Sequence, residues 1–248
     1  MLPSFLAHPP TSKVPYMPFF WLAEDEVVFP PVEMADENGL LAIGGDLSSE
    51  RILAAYQQGI FPWFNEMDPY LWWAPDPRFV LFPQELKVAK SMRPYFNQGK
   101  FQVTLDRDFP AVIQSCAAAR RGGRQVGTWI TDDMIEAYVA LHEQGYAHSV
   151  EVWQDGCLAG GLYGVSLGKI FFGESMFARV GNASKFGFIT LVRTLQEKGF
   201  TLIDCQQETE HLGSLGARAI PRTSFTDLLK SNEAEPTLRG NWGSLIQN

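Results

Sequence analysis

The chain has little of what nucleic-acid-binding, redox and metal proteins usually display. Only 19% of its 248 residues are charged, and acidic side chains outnumber basic ones, giving a net charge of −8. A general nucleic-acid binder carries a basic excess, so that class is disfavoured. A local basic patch is still allowed, and acidic ground attracts partners that present positive groups. Cysteine is scarce. Cys116, Cys157 and Cys205 lack metal-type spacing, and an odd number without a secretion signal points to reduced thiols that act as small hydrophobes. The four histidines, His8, His142, His148 and His211, include no i, i+4 pair, so no metal site is expected. No apolar run is long enough to span a bilayer: the stretch around Phe19 to Trp21 follows Pro15 and Pro18 and is closed by Glu24. The start lacks the basic region and small-residue cleavage site of a signal peptide. A cytoplasmic protein is therefore expected. Gly-x-Ser-x-Gly, Walker and dinucleotide motifs are missing as well.

What is present is apolar and aromatic: 46% of the residues are hydrophobic, enough for one large domain or two small ones and far from a disordered composition. Residues 1 to 25 read as a loosely held start. Asn38-Gly39 and Gly44-Gly45 are turn signals. Ser48 is placed to cap a helix with Ile52, Leu53 and Tyr56 on its apolar face, Leu47 and Ile52 as a staple and Gly59 as its end. Residues 60 to 84, dense in Pro and Trp, read as a loop-like segment. It is either a linker sealed onto the core or the rigid wall of a pocket.

Beyond residue 100 the pattern is mixed α and β. Phe101 to Leu105 alternates as a strand, Phe109 to Arg120 is helical, and Thr131 caps a helix with Ile135, Tyr138 and Leu141 inward and Gly145 as its end. His148 to Trp153, Cys157 to Leu167 and Lys169 to Phe177 are strands, the first two joined by an Asp155-Gly156 hairpin turn. Asn182 or Ser184 caps a helix carrying Phe186, Ile189, Val192 and Leu195. Phe200 to Cys205 is a continuous apolar strand of the kind covered on both faces. Short helices follow near Glu210 to Leu215 and Ser224 to Lys230, and the polar tail from Ser231 is expected to fray. Three antiparallel strands, a helix and a buried strand form an α/β (α+β) unit ordered like the GCN5-related N-acetyltransferase (GNAT) fold, a likeness that says little about substrate.

The polar residues that stand out lie near strand ends. Glu174 interrupts an apolar strand, and Asp204 and Gln206 close another, on one face by alternation. Asp204 serves either a site or a neighbouring loop. Arg120, Arg121 and Arg124 form one basic cluster, and Lys87, Lys90, Arg93 and Lys100 another. Each is either a solvated face or a set of phosphate contacts. His211, after a strand, is a candidate for catalysis or for a surface role.

These strings resemble the bacterial leucyl/phenylalanyl-tRNA–protein transferase family. The resemblance runs in order from Asn38-Gly39-Leu40-Leu41-Ala42-Ile43-Gly44-Gly45-Asp46-Leu47 through Gly59-Ile60-Phe61-Pro62-Trp63-Phe64 and Trp72-Trp73-Ala74-Pro75-Asp76-Pro77-Arg78 to Gly127-Thr128-Trp129-Ile130. It continues with Ala147-His148-Ser149-Val150-Glu151-Val152-Trp153, Gly173-Glu174-Ser175-Met176-Phe177, Leu202-Ile203-Asp204-Cys205-Gln206 and Ser214-Leu215-Gly216-Ala217. Each string alone is weak; the ordered set is specific. The family usually has Ser where Ala74 stands, and the loop from Arg121 to Val126 is longer than expected of it.

The resemblance implies a small N-terminal domain over residues 1–76 and a GNAT-like catalytic domain over residues 77–248. It implies transfer of Leu or Phe, and less well Met, from the 3′ acceptor end of Leu-, Phe- or Met-tRNA to proteins that begin with Arg or Lys, marking them for N-end rule degradation. By the same resemblance Asp204 and Gln206 serve catalysis with Glu174 beside them. Trp63, Trp129, Tyr138, Met176 and Ile203, with Leu162 and Phe186, wall a slot for the donor side chain. Arg93, Lys100, Arg120 and Arg121 contact tRNA. No membrane, metal or cofactor enters this scheme. Two other readings compete: an acetyl-CoA-dependent N-acetyltransferase, whose phosphate loop would be one residue short at Arg179-Val180-Gly181-Asn182-Ala183, and a non-catalytic module that only binds tRNA or degradation signals.

Overall fold

The computed structural model describes residues 20–119 and 130–246. Two sheets organise it. The first is built from β1 (Phe20–Leu22), β2 (Leu40–Gly44), β3 (Phe61–Pro62) and β4 (Leu71–Trp73), in the order β1-β2-β4-β3. Between β2 and β3 runs helix α1 (Ser49–Gln57), where the Ser48 side chain accepts a hydrogen bond from the Arg51 N–H. Ile52 and Tyr56 are fully buried, while Leu53 is only partly so.

The segment read as loop-like contains three strands: β3, β4 and β5 (Arg78–Leu81). Proline-rich sequence suppresses strand signals, but here Pro62 sits on an edge strand, where a missing N–H is tolerated.

The second sheet has seven strands, ordered β11-β5-β10-β9-β8-β7-β6. They are β6 (Gln102–Leu105), β7 (Ala147–Gln154), β8 (Cys157–Leu167), β9 (Ile170–Ala178), β10 (Leu202–Gln206) and β11 (Arg218–Ile220), with β5 between β11 and β10. The one parallel pair in this sheet is β9 with β10. Three antiparallel strands, a helix and a parallel return strand give the GNAT-like order read from the sequence. Asp155 and Gly156 both have positive φ, 50° and 75°, as a tight turn from β7 to β8 requires.

Five further helices cover the second sheet and its edges: α2 (Arg93–Asn97), α3 (Phe109–Ala117), α4 (Asp132–Glu143), α5 (Ala183–Glu197) and α6 (Glu210–Ser214), and the chain then passes through β11 to α7 (Arg222–Asn232). Period-two alternation divides the core between the two faces. Leu162, Phe171 and Ile203 join Ile189 and Val192 of α5 on one face, whereas Tyr163, Phe172 and Leu202 join residues of α1, α3 and α4 on the other. Both faces being covered explains the uninterrupted apolar run of β10. Thr131 caps α4 as expected, with Met134, Tyr138 and Leu141 inward and Ile135 only partly buried.

One expectation holds only in part and another fails. Neither Asn182 nor Ser184 caps α5 with its side chain. Asn182 occupies the cap position in left-handed conformation, and its amide donates to the Tyr95 hydroxyl at 3.0 Å. The tail does not fray either. Trp242 is buried and stacks on His148 at 3.6 Å, its backbone N–H donates to Asp106 at 2.8 Å, and the Gly240 N–H bonds the Gly145 carbonyl. A Cβ on Gly145 would lie 2.4 Å from the Gly240 nitrogen, so the helix-ending glycine also admits the tail. A polar segment can thus be held by one large aromatic, which composition alone does not reveal. Among the described residues no helix is long and apolar enough to cross a membrane.

Candidate active site

A cavity of about 520 Å³ opens where β9 and β10 part. After the Asp204–Phe172 pair these strands no longer share a ladder, and each is irregular there. Glu174 lies at a shift of register between Tyr163–Ser175 and Gly164–Gly173, while β10 steps from Asp204–Val80 to Gln206–Phe79 past Cys205. Bulges of this kind re-aim side chains. Asp204 and Gln206 do share the cavity, but through a bulge with Gln206 at φ 62° rather than through regular alternation.

Glu174 is the hub of the polar end. Its Oε1 accepts from the Tyr56 hydroxyl at 2.6 Å and from the Gln206 amide Nε2 at 2.7 Å, and its Oε2 accepts from the Tyr138 hydroxyl at 3.0 Å. Burial is the main influence on its carboxyl pKa, which is pushed up to about 7; the hydrogen bonds from Tyr56, Tyr138 and Gln206 oppose the rise, and the Asp204 charge adds to it. Burial, followed by the Glu174 charge, also raises both phenols well above the ordinary tyrosine range.

Asp204 lies one layer deeper. The Arg78 guanidinium donates from Nε to Oδ1 at 2.8 Å and from Nη2 to Oδ2 at 2.6 Å, both side chains being buried. Oδ1 also accepts the Gln206 backbone N–H at 2.9 Å, which pins the positive-φ residue. Arg78 is held in turn between the rings of Phe61 and Phe225, 4.7 Å from each centroid. Burial pushes the neighbouring Cys205 thiol up, so it is a poor thiolate.

The rest of the wall is largely apolar. Of the residues proposed for a donor slot, Trp63, Leu162, Met176 and Ile203 line the cavity. Tyr138 does not line it; it stands behind Glu174 as a hydrogen-bond donor. Phe186 is not on the wall either. It stacks on Phe96 at 4.3 Å on another side of α5, and Phe188 lines the cavity instead. A helix turns by about 100° per residue, so a two-residue step changes the face. Trp129, Arg120 and Arg121 lie outside the described residues. Arg93 and Lys100 are exposed, the latter with its ammonium over the Tyr95 ring.

Sequence reasoning missed Arg78 and Tyr56 as site residues. Both stood in view, one ending the Trp72-to-Arg78 string and the other on the α1 face, but their partners are 126 and 118 positions away. Among the described residues no three His, Cys, Asp or Glu side chains gather in a way that could hold a metal ion.

The site is thus an apolar slot on a mixed α/β sheet, ending in a carboxylate–amide cluster. A family model described as leucyl/phenylalanyl-tRNA protein transferase matches residues 80–230, and the model for the N-terminal domain of that family matches residues 45–76. A leucyl/phenylalanyl-tRNA–protein transferase of Syntrophus aciditrophicus (strain SB) is 60% identical over 218 residues, 88% of this chain and 91% of the relative. One from Pseudomonas putida (strain W619) is 57% identical over 226 residues, 90% and 99% of the two chains. The chain belongs to the leucyl/phenylalanyl-tRNA–protein transferase family.

Likeness to solved structures is slight. A ribosomal-protein-alanine N-acetyltransferase from Brucella melitensis biovar Abortus 2308 gives a TM-score of 0.34 at 17% identity, covering 44% of this chain and 81% of that one. A GCN5-related N-acetyltransferase from Kribbella flavida gives 0.36 at 10%, covering 67% and 59%. Scores this low carry no argument about substrate.

Proposed function

We propose that this chain transfers Leu or Phe, and Met less well, from aminoacyl-tRNA to the N-terminal Arg or Lys of acceptor proteins in the cytoplasm, marking them for N-end rule degradation. The donor is an activated ester and the product an amide. The acceptor amine attacks the ester carbonyl, a C–N bond forms, the C–O bond to the terminal ribose breaks, and the proton lost by nitrogen leaves with the ribose oxygen or through water. An α-amine of pKa near ~8 is partly neutral at pH 7, so positioning contributes much of the rate.

The observation that supports this reading best is the setting of Gln206. Its amide nitrogen is committed to Glu174, which leaves the amide oxygen for an N–H of the attacking amine, while Asp204 fixes the backbone of the same residue. Trp63, Leu162, Met176 and Ile203 suit an apolar donor side chain that is unbranched at its β-carbon. Arg93 and Lys100, with Arg120 and Arg121, are assigned to the tRNA backbone, and their contribution should weaken with salt.

The test is transfer of labelled Phe from Phe-tRNA to a peptide beginning with Arg, beside the same peptide beginning with Gly. Incorporation that requires the Arg supports the reading. Equal incorporation into both, or none into either, overturns it. Heat release on mixing with acetyl-CoA would instead favour an acetyltransferase.

A further inference from the structure

Gln206 holds a conformation that its residue type does not favour. Its φ of 62° lies in the left-handed region, which a residue other than glycine keeps only where its surroundings enforce it. Two contacts enforce it here. Glu174 accepts from the side-chain amide at 2.7 Å, and Asp204 Oδ1 accepts from the backbone N–H at 2.9 Å. The second contact is only as fixed as the Asp204 carboxylate, and Arg78 fixes that carboxylate. Nε and Nη2 of the guanidinium donate to its two oxygens, while Nη1 donates to the Gly59 carbonyl at 3.1 Å. The rings of Phe61 and Phe225 each lie 4.7 Å from the guanidinium carbon. Phe61, on β3 of the first sheet, also lines the cavity beside Trp63; Phe225, on α7, does not. Arg78 therefore touches the apolar wall on the one hand and the support of Gln206 on the other.

Stability alone does not account for an ion pair buried this deeply, because apolar residues of matching volume stabilise a core as well or better. What the pair supplies is direction. A guanidinium presents its N–H groups in a rigid planar fork that matches a carboxylate, so both oxygens of Asp204 are held in one orientation. In that orientation Oδ1 meets the Gln206 N–H. A turn of the carboxylate would release this N–H, free the backbone from its left-handed conformation and shift the amide in the cavity. We propose that Arg78 is a positioning residue for the transfer reaction. Through Asp204 it sets Gln206, and through Gly59 and Phe61 it keys that setting to the wall against which the donor side chain rests. This rests on the reading that the Gln206 amide oxygen orients the attacking amine. Arg78 is not on the cavity wall, so it acts only through these neighbours. The leverage is large: a displacement of about 1 Å at a reacting group costs roughly a hundredfold in rate.

The test is a double-mutant cycle of Arg78→Lys and Gln206→Ala, read as kcat and KM for transfer of Phe from Phe-tRNA to a peptide that begins with Arg. Lysine keeps a positive charge beside Asp204 but presents no fork. Arg78→Lys should lower kcat by roughly tenfold and leave KM for Phe-tRNA within about twofold. In the Gln206→Ala background the same change should cost less than about twofold, because the group it positions is gone. Phe225→Leu is a second probe, which loosens the guanidinium from the side away from the cavity. It should lower kcat by roughly threefold, again only while Gln206 is present, and it keeps the assignment testable should Arg78→Lys fold poorly. Equal losses of kcat in the two backgrounds, or folded variants with wild-type kcat, would overturn the assignment. Wild type that transfers no Phe refutes the functional reading itself, and Gln206→Ala with wild-type turnover refutes the role of Gln206. Both of these are seen without any change at Arg78 and so are distinct from the others.

Discussion

Arg78 and Asp204 meet as a two-pronged buried ion pair, at 2.8 and 2.6 Å, and the same carboxylate holds the backbone of Gln206. Stability and the setting of Gln206 are therefore coupled at Asp204. Asp204→Asn keeps the shape but leaves Arg78 buried without a counter-charge, so a loss of about 3–5 kcal/mol is expected in denaturant unfolding. Turnover should also fall by roughly ten- to a hundredfold, the loss of a charge-assisted hydrogen bond. Adding Arg78→Met to Asp204→Asn should recover part of the stability and none of the turnover. Unaltered unfolding of Asp204→Asn would show that the pair carries no such load.

Glu174 supplies a pH signature. Its contacts to the two phenols and the contact between Tyr56 and Tyr138 make three oxygen–oxygen hydrogen bonds, for which the phenols supply only two hydrogens. A protonated Glu174 supplies the third by donating to one phenol instead of accepting from it, in keeping with a pKa near 7. Because the folded pKa is raised, the folded state holds this proton between about pH 4.5 and 7, where the unfolded chain has lost it. This contribution to stability is full below pH 4.5 and is lost as pH rises through 7. Glu174→Gln should remove that decline. Parallel stability–pH curves for wild type and Glu174→Gln over this window would contradict the assignment.

Donor selection should follow the cavity wall. Met176→Ala and Phe188→Ala enlarge the slot, and Ile- or Val-tRNA should gain on Phe-tRNA, since one methylene in an apolar pocket is worth about 1–3 kcal/mol. Phe186→Ala should cost stability and leave selection unchanged, because its ring packs on Phe96 and Phe101. Competition between labelled Phe-tRNA and Val-tRNA reads this directly. Selection that moves with Phe186 and not with Phe188 would reverse the assignment.

The tail prediction is thermodynamic. Trp242→Ala removes the ring stacked on His148 and opens a gap beside Phe171 and Phe200. A cost of about 3–5 kcal/mol is expected, as for other buried aromatics cut to Ala. A shift of the urea midpoint at constant m-value would report it. A tail that contributes nothing would leave the midpoint in place.

Much of the fold was legible in the sequence because its signals are local. Ser48 and Thr131 announce their helices, Asp155-Gly156 its hairpin, and the continuous apolar run to Cys205 a strand covered on both sides. The ordered motifs also brought Glu174, Asp204 and Gln206 forward as candidates. Local sequence could not reveal the strands hidden among the prolines near residue 62 or the anchor at Trp242, since each depends on a partner far along the chain. The same holds within the site. Residue type supplies a carboxylate, an amide and an arginine, but period-two alternation assumes a regular ladder. The register shifts beside Glu174 and Cys205 arise only when β8, β9, β10 and β5 pair. The sequence by itself determined which groups are available to the cavity. The tertiary structure decided that Glu174 answers to Tyr56 and Tyr138, that Asp204 answers to Arg78, and that Phe188 rather than Phe186 faces the slot, because strand pairing and helix rotation, not spacing along the chain, set which side chains meet.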